Sequence, residues 1–75
     1  MNIISTVQLL QVVSDNSKQF IQARLLLGNY TATHFLLSKG KYLYDEGIDG
    51  EQRKTNFSDF SNRYLNCFWV IDQIV

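Results

Sequence analysis

Residues 56–75 are NFSDFSNRYLNCFWVIDQIV, and this stretch decides which fold the sequence predicts. When each residue is placed about 100° around a helix from the one before it, six large side chains fall within an arc of roughly 80°. These side chains are Phe57, Phe60, Tyr64, Phe68, Ile71 and Val75. The spacing predicts a C-terminal helix near 56–75 with one stripe facing a core.

Leu65 and Trp69 lie outside that stripe, about 100° to 140° from its middle on the same helical wheel. A helix on the surface of a monomer needs only one apolar face, so another segment, a second copy or a foreign partner must cover the second one. We therefore predict that Leu65 and Trp69 form a partner-binding ridge. The alternative is that Trp69 packs inside its own chain, since large aromatic side chains are usually mostly buried.

The N-terminal third predicts a long helix. Its apolar residues keep the same helical phase from Ile3 to Leu27, which favours one unbroken helix over about residues 2–27. The alternative places a break at residues 14–17, Ser-Asp-Asn-Ser, because all four are good N-cap residues.

Residues 30–46 fit two structures. As a helix near 31–46 their apolar stripe comprises Ala32, Phe35, Leu36, Tyr42 and Leu43. As a β-hairpin near 33–44 that turns at Lys39 and Gly40, they place Phe35, Leu37, Tyr42 and Tyr44 on one face. The end signals favour the helix, because Gly47 suits a helix C-cap and Asp49 with Gln52 resembles a capping box. The last helix would then begin at Asp49 or Asn56.

The predicted fold is all-α: one small helical domain over residues 1–75, built as an antiparallel bundle of three helices, or four if the first is broken. The alternative is an α+β fold with a hairpin near 33–44. A chain of 75 residues buries only about 60% of its unfolded surface. Three thin helices cover one another incompletely, so we expect a homo-oligomer.

The composition excludes several classes of protein. Seven Lys and Arg balance seven Asp and Glu, so no overall field draws the chain to nucleic acid or to an anionic membrane. The longest apolar runs are far shorter than the ~18 residues of a membrane span. The N-terminus does not resemble a secretory signal, and one cysteine forms no internal disulfide. These features predict a cytoplasmic protein that does not bind membranes.

The sequence contains no recognisable constellation for catalysis. His34 and Cys67 are the only histidine and cysteine, whereas a zinc site needs three or four such ligands. The four acids at positions 45, 46, 49 and 51 lack the spacing of a calcium loop. We therefore predict no catalytic residue, no metal, no cofactor and no enzymatic activity.

The leading functional hypothesis is a non-enzymatic protein that binds another protein as a regulator, inhibitor or adaptor. The alternative is a small nucleic-acid-binding regulator, because basic side chains bind phosphates and tyrosines stack on bases. Its residues would be Lys39, Lys41, Tyr42, Tyr44, Arg53, Lys54 and Arg63.

Overall fold

A computed structural model of the protein describes residues 2–27, 30–37, 43–47 and 50–75; for residues 27 and 30–37 it describes the main chain. Its elements, in chain order, are β1 (Ile3–Ser5), α1 (Thr6–Asp15), β2 (Phe20–Leu27), β3 (Tyr30–Leu37), β4 (Leu43–Glu46), β5 (Gln52–Thr55), α2 (Phe57–Arg63) and β6 (Phe68–Ile74). The protein is therefore α+β, and the predicted all-α helical bundle is wrong. The prediction of a single domain over residues 1–75 stays a prediction.

The larger sheet has four strands in the order β1-β6-β2-β3, and every neighbouring pair is antiparallel. The last strand of the chain therefore lies between the first two and becomes a central strand. A separate hairpin of β4 and β5 forms the second sheet.

One face of the larger sheet, which we call the front face, packs against the helices. Along β2 the alternate residues Ile21, Ala23 and Leu25 are buried, as a strand with one face on a core requires. The core joins these side chains to others from both helices, β4 and β6: Leu9, Leu10, Val13, Leu43, Phe60 and Trp69. The core thus lies between the front face, the two helices and the small hairpin.

Helix α1 is much shorter than predicted. Ser5 caps its N-terminus in a capping box with Gln8, and the Asn16 side chain donates a 2.7 Å hydrogen bond to the carbonyl oxygen of Val12 at its C-terminus. The unbroken helix over residues 2–27 is wrong. The alternative break at residues 14–17 has the right position, but the segment after it is a strand.

The predicted C-terminal helix over residues 56–75 is also wrong beyond its first two turns. Its start at Asn56 is confirmed, because the Asn56 side chain accepts a 2.9 Å hydrogen bond from the Asp59 backbone N–H. The chain leaves the helix after Arg63. Asn66 adopts a left-handed conformation (φ 62°), which asparagine tolerates better than most residues, and the chain then enters β6.

The predicted helix near 31–46 is replaced by β3 and β4. The strands of the alternative interpretation are present, but β3 pairs with β2 and β4 pairs with β5. The predicted turn at Lys39 and Gly40 lies outside the described residues. Gly47 does not cap a helix: its N–H donates to the carbonyl oxygen of Glu51 at 3.0 Å, within the β4–β5 hairpin.

Candidate functional site

Trp69 lies in the protein core. Its side chain is fully buried and contacts the rings of Phe60 and Tyr64, with ring centroids 5.2 and 5.1 Å away. Its indole Nε1–H donates a 2.8 Å hydrogen bond to the hydroxyl oxygen of Thr6, which in turn donates to the carbonyl oxygen of Tyr64 at 2.7 Å. Trp69 therefore ties β6 to the start of α1 and the end of α2.

Leu65 and Trp69 do not form a helical ridge, because residue 69 is on a strand and residue 65 is in the turn after α2. Leu65 is 67% exposed, whereas Trp69 has no exposed surface in the folded chain. The geometry thus fits the alternative interpretation of Trp69 as a core residue. A binding role for Leu65 stays a prediction.

A buried carboxylate connects the small hairpin to α2. Asp45 on β4 accepts a 2.6 Å hydrogen bond from the Tyr64 hydroxyl and a 3.2 Å ion-paired hydrogen bond from Arg63. Burial, and then the hydrogen bond to Asp45, raises the pKa of Tyr64 above its ordinary value. Because Asp45, Tyr64 and Arg63 bond to one another within the chain, the geometry indicates a structural tie.

The basic residues of the nucleic-acid alternative are only partly described. Lys39, Lys41 and Tyr42 lie outside the described residues. Tyr44 and Lys54 are cross-strand neighbours on the hairpin, Arg53 has a Glu51 oxygen 3.7 Å away, and Arg63 pairs with Asp45. The two arginines therefore have carboxylates close to them, which reduces the positive potential available to a phosphate backbone.

The back face of the larger sheet carries apolar side chains that the described helices do not cover. Strand alternation and cross-strand register define its described residues. They are Ile3, Ser5, Phe20, Gln22, Arg24, Leu26, Phe68, Val70, Asp72 and Gln73. Ile3 is 58% exposed and Phe68 is 53% exposed.

Val70 shows that the back face is a second apolar layer. It is only 5% exposed, but it does not belong to the front-face core cluster. Its cross-strand neighbours are Ile3 on β1 and Arg24 on β2, while Phe68 is the cross-strand neighbour of Leu26. The two central strands, β6 and β2, therefore carry apolar side chains on both faces.

One ion pair lies on the back face. Arg24 Nε is 2.7 Å from one carboxylate oxygen of Asp72 and donates to the other at 2.9 Å. The register between β2 and β6 shifts between Gln22 and Ala23, which makes Asp72 the additional residue of a β-bulge. The bulge places the Asp72 carboxylate beside Arg24.

A second exposed apolar area lies between the helices. Val7 and Leu10 of α1 and Phe57 of α2 line a groove of about 400 Å³, together with glutamine and serine side chains. Phe57 is 45% exposed. The groove lies among the helices, on the opposite side of the sheet from Phe68.

The described residues contain few other candidates for a metal-binding, catalytic or membrane-spanning role. No group of three His, Cys, Asp or Glu residues in the described part of the chain is arranged to hold a metal ion. His34 occupies β3 opposite Ala23, and Cys67 is a free cysteine just before β6. Neither of the two described helices has the length and hydropathy that a membrane crossing requires.

Comparisons with protein-family models, curated proteins and solved structures found no match to this chain. A function for the chain is therefore inferred from its geometry.

Sequence reasoning missed Thr6, Asp45 and Phe68 as important positions. Helical periodicity assigned Phe68 to the core stripe, but in β6 it lies on the back face. The signal for this arrangement is the continuous apolar run at 68–71, since four successive large apolar residues indicate a strand with two buried faces. For Thr6 and Asp45, residue type alone carries no such signal.

Proposed function

We propose that this protein is not an enzyme and acts by binding another protein molecule through the back face of its sheet. The observation that carries the proposal is that β6 and β2 are apolar on both faces, while the described helices cover only the front face. Antiparallel sheets with one solvated face usually alternate apolar and polar residues. Here Phe68, Val70 and Leu26 depart from that alternation.

The exposed side chains support binding. Phe68 and Ile3 are each more than half exposed and lie on adjacent strands, β6 and β1. A contiguous apolar area on a folded protein marks an interaction site more often than scattered apolar residues do. Large aromatic side chains are also enriched at the centres of interfaces.

A protein with this surface acts as a regulator, inhibitor or adaptor by binding to a surface of its partner. We place it in the cytoplasm, a proposal supported by its single cysteine, which needs no oxidising compartment to form an internal disulfide.

A capture experiment with two matched variants tests this function. Phe68→Ser removes the aromatic ring from the back face, and Phe57→Ser removes a comparably exposed ring from the groove between the helices. Each variant and the wild type would be tagged, cross-linked in an extract of the source cell, and analysed by mass spectrometry for captured protein, including further copies of the chain itself.

We expect Phe68→Ser to lose a captured protein that the wild type and Phe57→Ser retain. Circular dichroism on the same samples must show that all three are folded. Identical capture by all three proteins, of foreign chains and of the chain itself, would contradict a binding role for the back face.

A further inference from the structure

We propose that a second copy of this chain covers the back face, so that two sheets pack face to face in a two-fold dimer. This inference rests on the proposed function of the back face and adds the identity of its occupant. Two features of the face carry it, its charge balance and its cross-strand pairing, and the size of the face sets the strength of the association.

The charges of the back face balance within a single chain. Among its described residues, Arg24 and Asp72 are the charged ones, and they form a pair with two short contacts. The face therefore has no excess charge that would favour a partner of opposite sign. A surface without net charge brings no like-charge repulsion when it meets its own copy.

The pairing of β6 with β2 makes the face complementary to itself. Phe68 is the cross-strand partner of Leu26, and Val70 is the partner of Arg24. A two-fold axis that runs parallel to these strands, midway between them, places β6 of one copy over β2 of the other. Phe68 then lies against Leu26 of the second copy, so apolar meets apolar at those two symmetry-related positions, while Arg24 lies against Val70 of the second copy.

The same axis brings the two ion pairs together. Arg24 lies near Asp72 of the second copy as well as near Asp72 of its own chain, and opposite charges therefore alternate in the resulting group of four. Packed sheets lie about 10 Å apart with their strands within about 30° of each other, which suits the reach of an arginine side chain. The charges remain paired when they lose contact with water, as buried ions require.

The size of the face predicts a weak dimer. The four strands β1, β6, β2 and β3 contain 3, 7, 8 and 8 residues; at about 3.3 Å per residue and about 4.8 Å between strands they give a face of roughly 400 Å². A standard specific interface buries about 800 Å² on each partner. We therefore expect association that depends on concentration, with a dissociation constant in the micromolar range or above.

The first test is sedimentation of the full chain from about 10 μM to about 1 mM, a range that brackets weak dimers. The wild type should shift from monomer to dimer across this range. Phe68→Lys should weaken the dimer by about 30-fold or more, the loss typical of an interface hot spot. Phe57→Lys, which places the same charge among the helices, should dimerise like the wild type.

A mixing experiment tests the arrangement itself. Phe68→Lys and Leu26→Glu should each be monomeric alone, because the homodimer of either variant would bury two unpaired charges, each against an apolar side chain. Mixed in equal amounts, they should form a heterodimer in which the new lysine of one copy faces the new glutamate of the other. Circular dichroism of each variant confirms that its fold is retained; if Phe68→Lys unfolds, Phe68→Ser replaces it in the sedimentation test.

The outcomes separate the proposals. A wild type that remains monomeric at the highest concentration overturns the second copy as occupant; if capture of a foreign protein still depends on Phe68, the proposed function stands. A wild-type dimer that Phe57→Lys disrupts and Phe68→Lys does not also overturns the inference. A wild-type dimer with no heterodimer in the mixture overturns the strand-over-strand arrangement.

Discussion

Replacing Thr6 by valine removes one buried oxygen atom and keeps the shape of the side chain. In the wild type that oxygen accepts the 2.8 Å hydrogen bond from the Trp69 indole and donates the 2.7 Å bond to the Tyr64 carbonyl. Thr6 is buried at the first position of α1, so water does not readily replace the lost oxygen. The Tyr64 carbonyl keeps its bond from the Cys67 N–H at 3.1 Å, whereas the Trp69 N–H loses its Thr6 acceptor.

The expected cost follows from this difference. Losing a buried hydrogen-bond partner costs about 1 to 3 kcal/mol, and we take about 2 kcal/mol for the loss of the Thr6 oxygen from Trp69 Nε1–H. A protein of 75 residues has a free energy of unfolding of roughly 4 to 11 kcal/mol at 0.05 to 0.15 kcal/mol per residue. One kcal/mol shifts the Tm of a domain this size by about 4 to 8 °C, so Thr6→Val should lower Tm by roughly 8 to 16 °C.

Urea unfolding followed by fluorescence provides the assay, since Trp69 is the only tryptophan and reports on its own environment. Thr6→Ser is the matched control: it keeps the hydroxyl and loses only a methyl group, at about 1 kcal/mol. The midpoint should fall further for valine than for serine, with an unchanged slope. A valine variant as stable as the wild type would refute the role of the Thr6 hydroxyl as the required acceptor.

Three further predictions concern the same half of the chain. Trp69→Ala should cost about 3 to 5 kcal/mol because it empties a core site, whereas Leu65→Ala should stay within about 0.5 kcal/mol; equal effects in thermal melts would contradict the buried position of Trp69. Burial and the bond to Asp45 raise the folded-state pKa of Tyr64, so the neutral phenol contributes stability below about pH 10 that is lost as the pH rises further. In an absorbance titration, Tyr64→Phe should remove a tyrosine that ionises above the ordinary pKa of about 10; loss of one that ionises near pH 10 would argue against this assignment. Asn56→Ala should destabilise α2 by about 1 kcal/mol while Asn56→Asp retains a cap, and chemical unfolding in which both behave alike would show that the cap is unimportant.

The end signals of the helices could be predicted from the sequence, and their lengths could not. Asn56 precedes a helix because its short side chain accepts from a backbone N–H three residues on, a strictly local interaction. Residues 14–17 end α1 for a similarly local reason. The structure of the segment after each signal depends on packing, because apolar residues at positions 21 and 25 satisfy both the i, i+4 spacing of a helix and the alternation of β2.

The C-terminal stretch shows why periodicity misled the assignment. Phe60 and Tyr64 do lie on one helical face in and after α2, and both contact Trp69. Beyond the turn at Asn66 the same spacing continues by coincidence, while the aromatic and β-branched residues of 68–74 favour a strand. The segment β6 forms because β1 and β2, from the other end of the chain, offer it hydrogen-bonding edges on both sides.

For the candidate site, too, one part could be predicted from the sequence and the other part required the structure. The residue types of the C-terminal stretch provide more apolar surface than one helix face or one strand face needs. This excess is visible in the sequence. Which side chain is buried and which is exposed was decided by the register of β6 against β2, since a shift of one residue would exchange Trp69 with Phe68.

The amino-acid sequence alone determines three features of this protein: that its C-terminal stretch supplies two apolar surfaces, that helices are capped at Asn56 and after Asp15, and that the chain has no net charge. The folded chain was needed to establish that residues 20–37 and 68–74 contain strands, that Trp69 lies in the core, and that Phe68 and Ile3 share an open face. Caps and charges arise from neighbours along the chain. The pairing of β6 with β1 and β2 joins residues more than 40 positions apart, as Arg24 and Val70 are, and those contacts exist only once the whole sheet has formed.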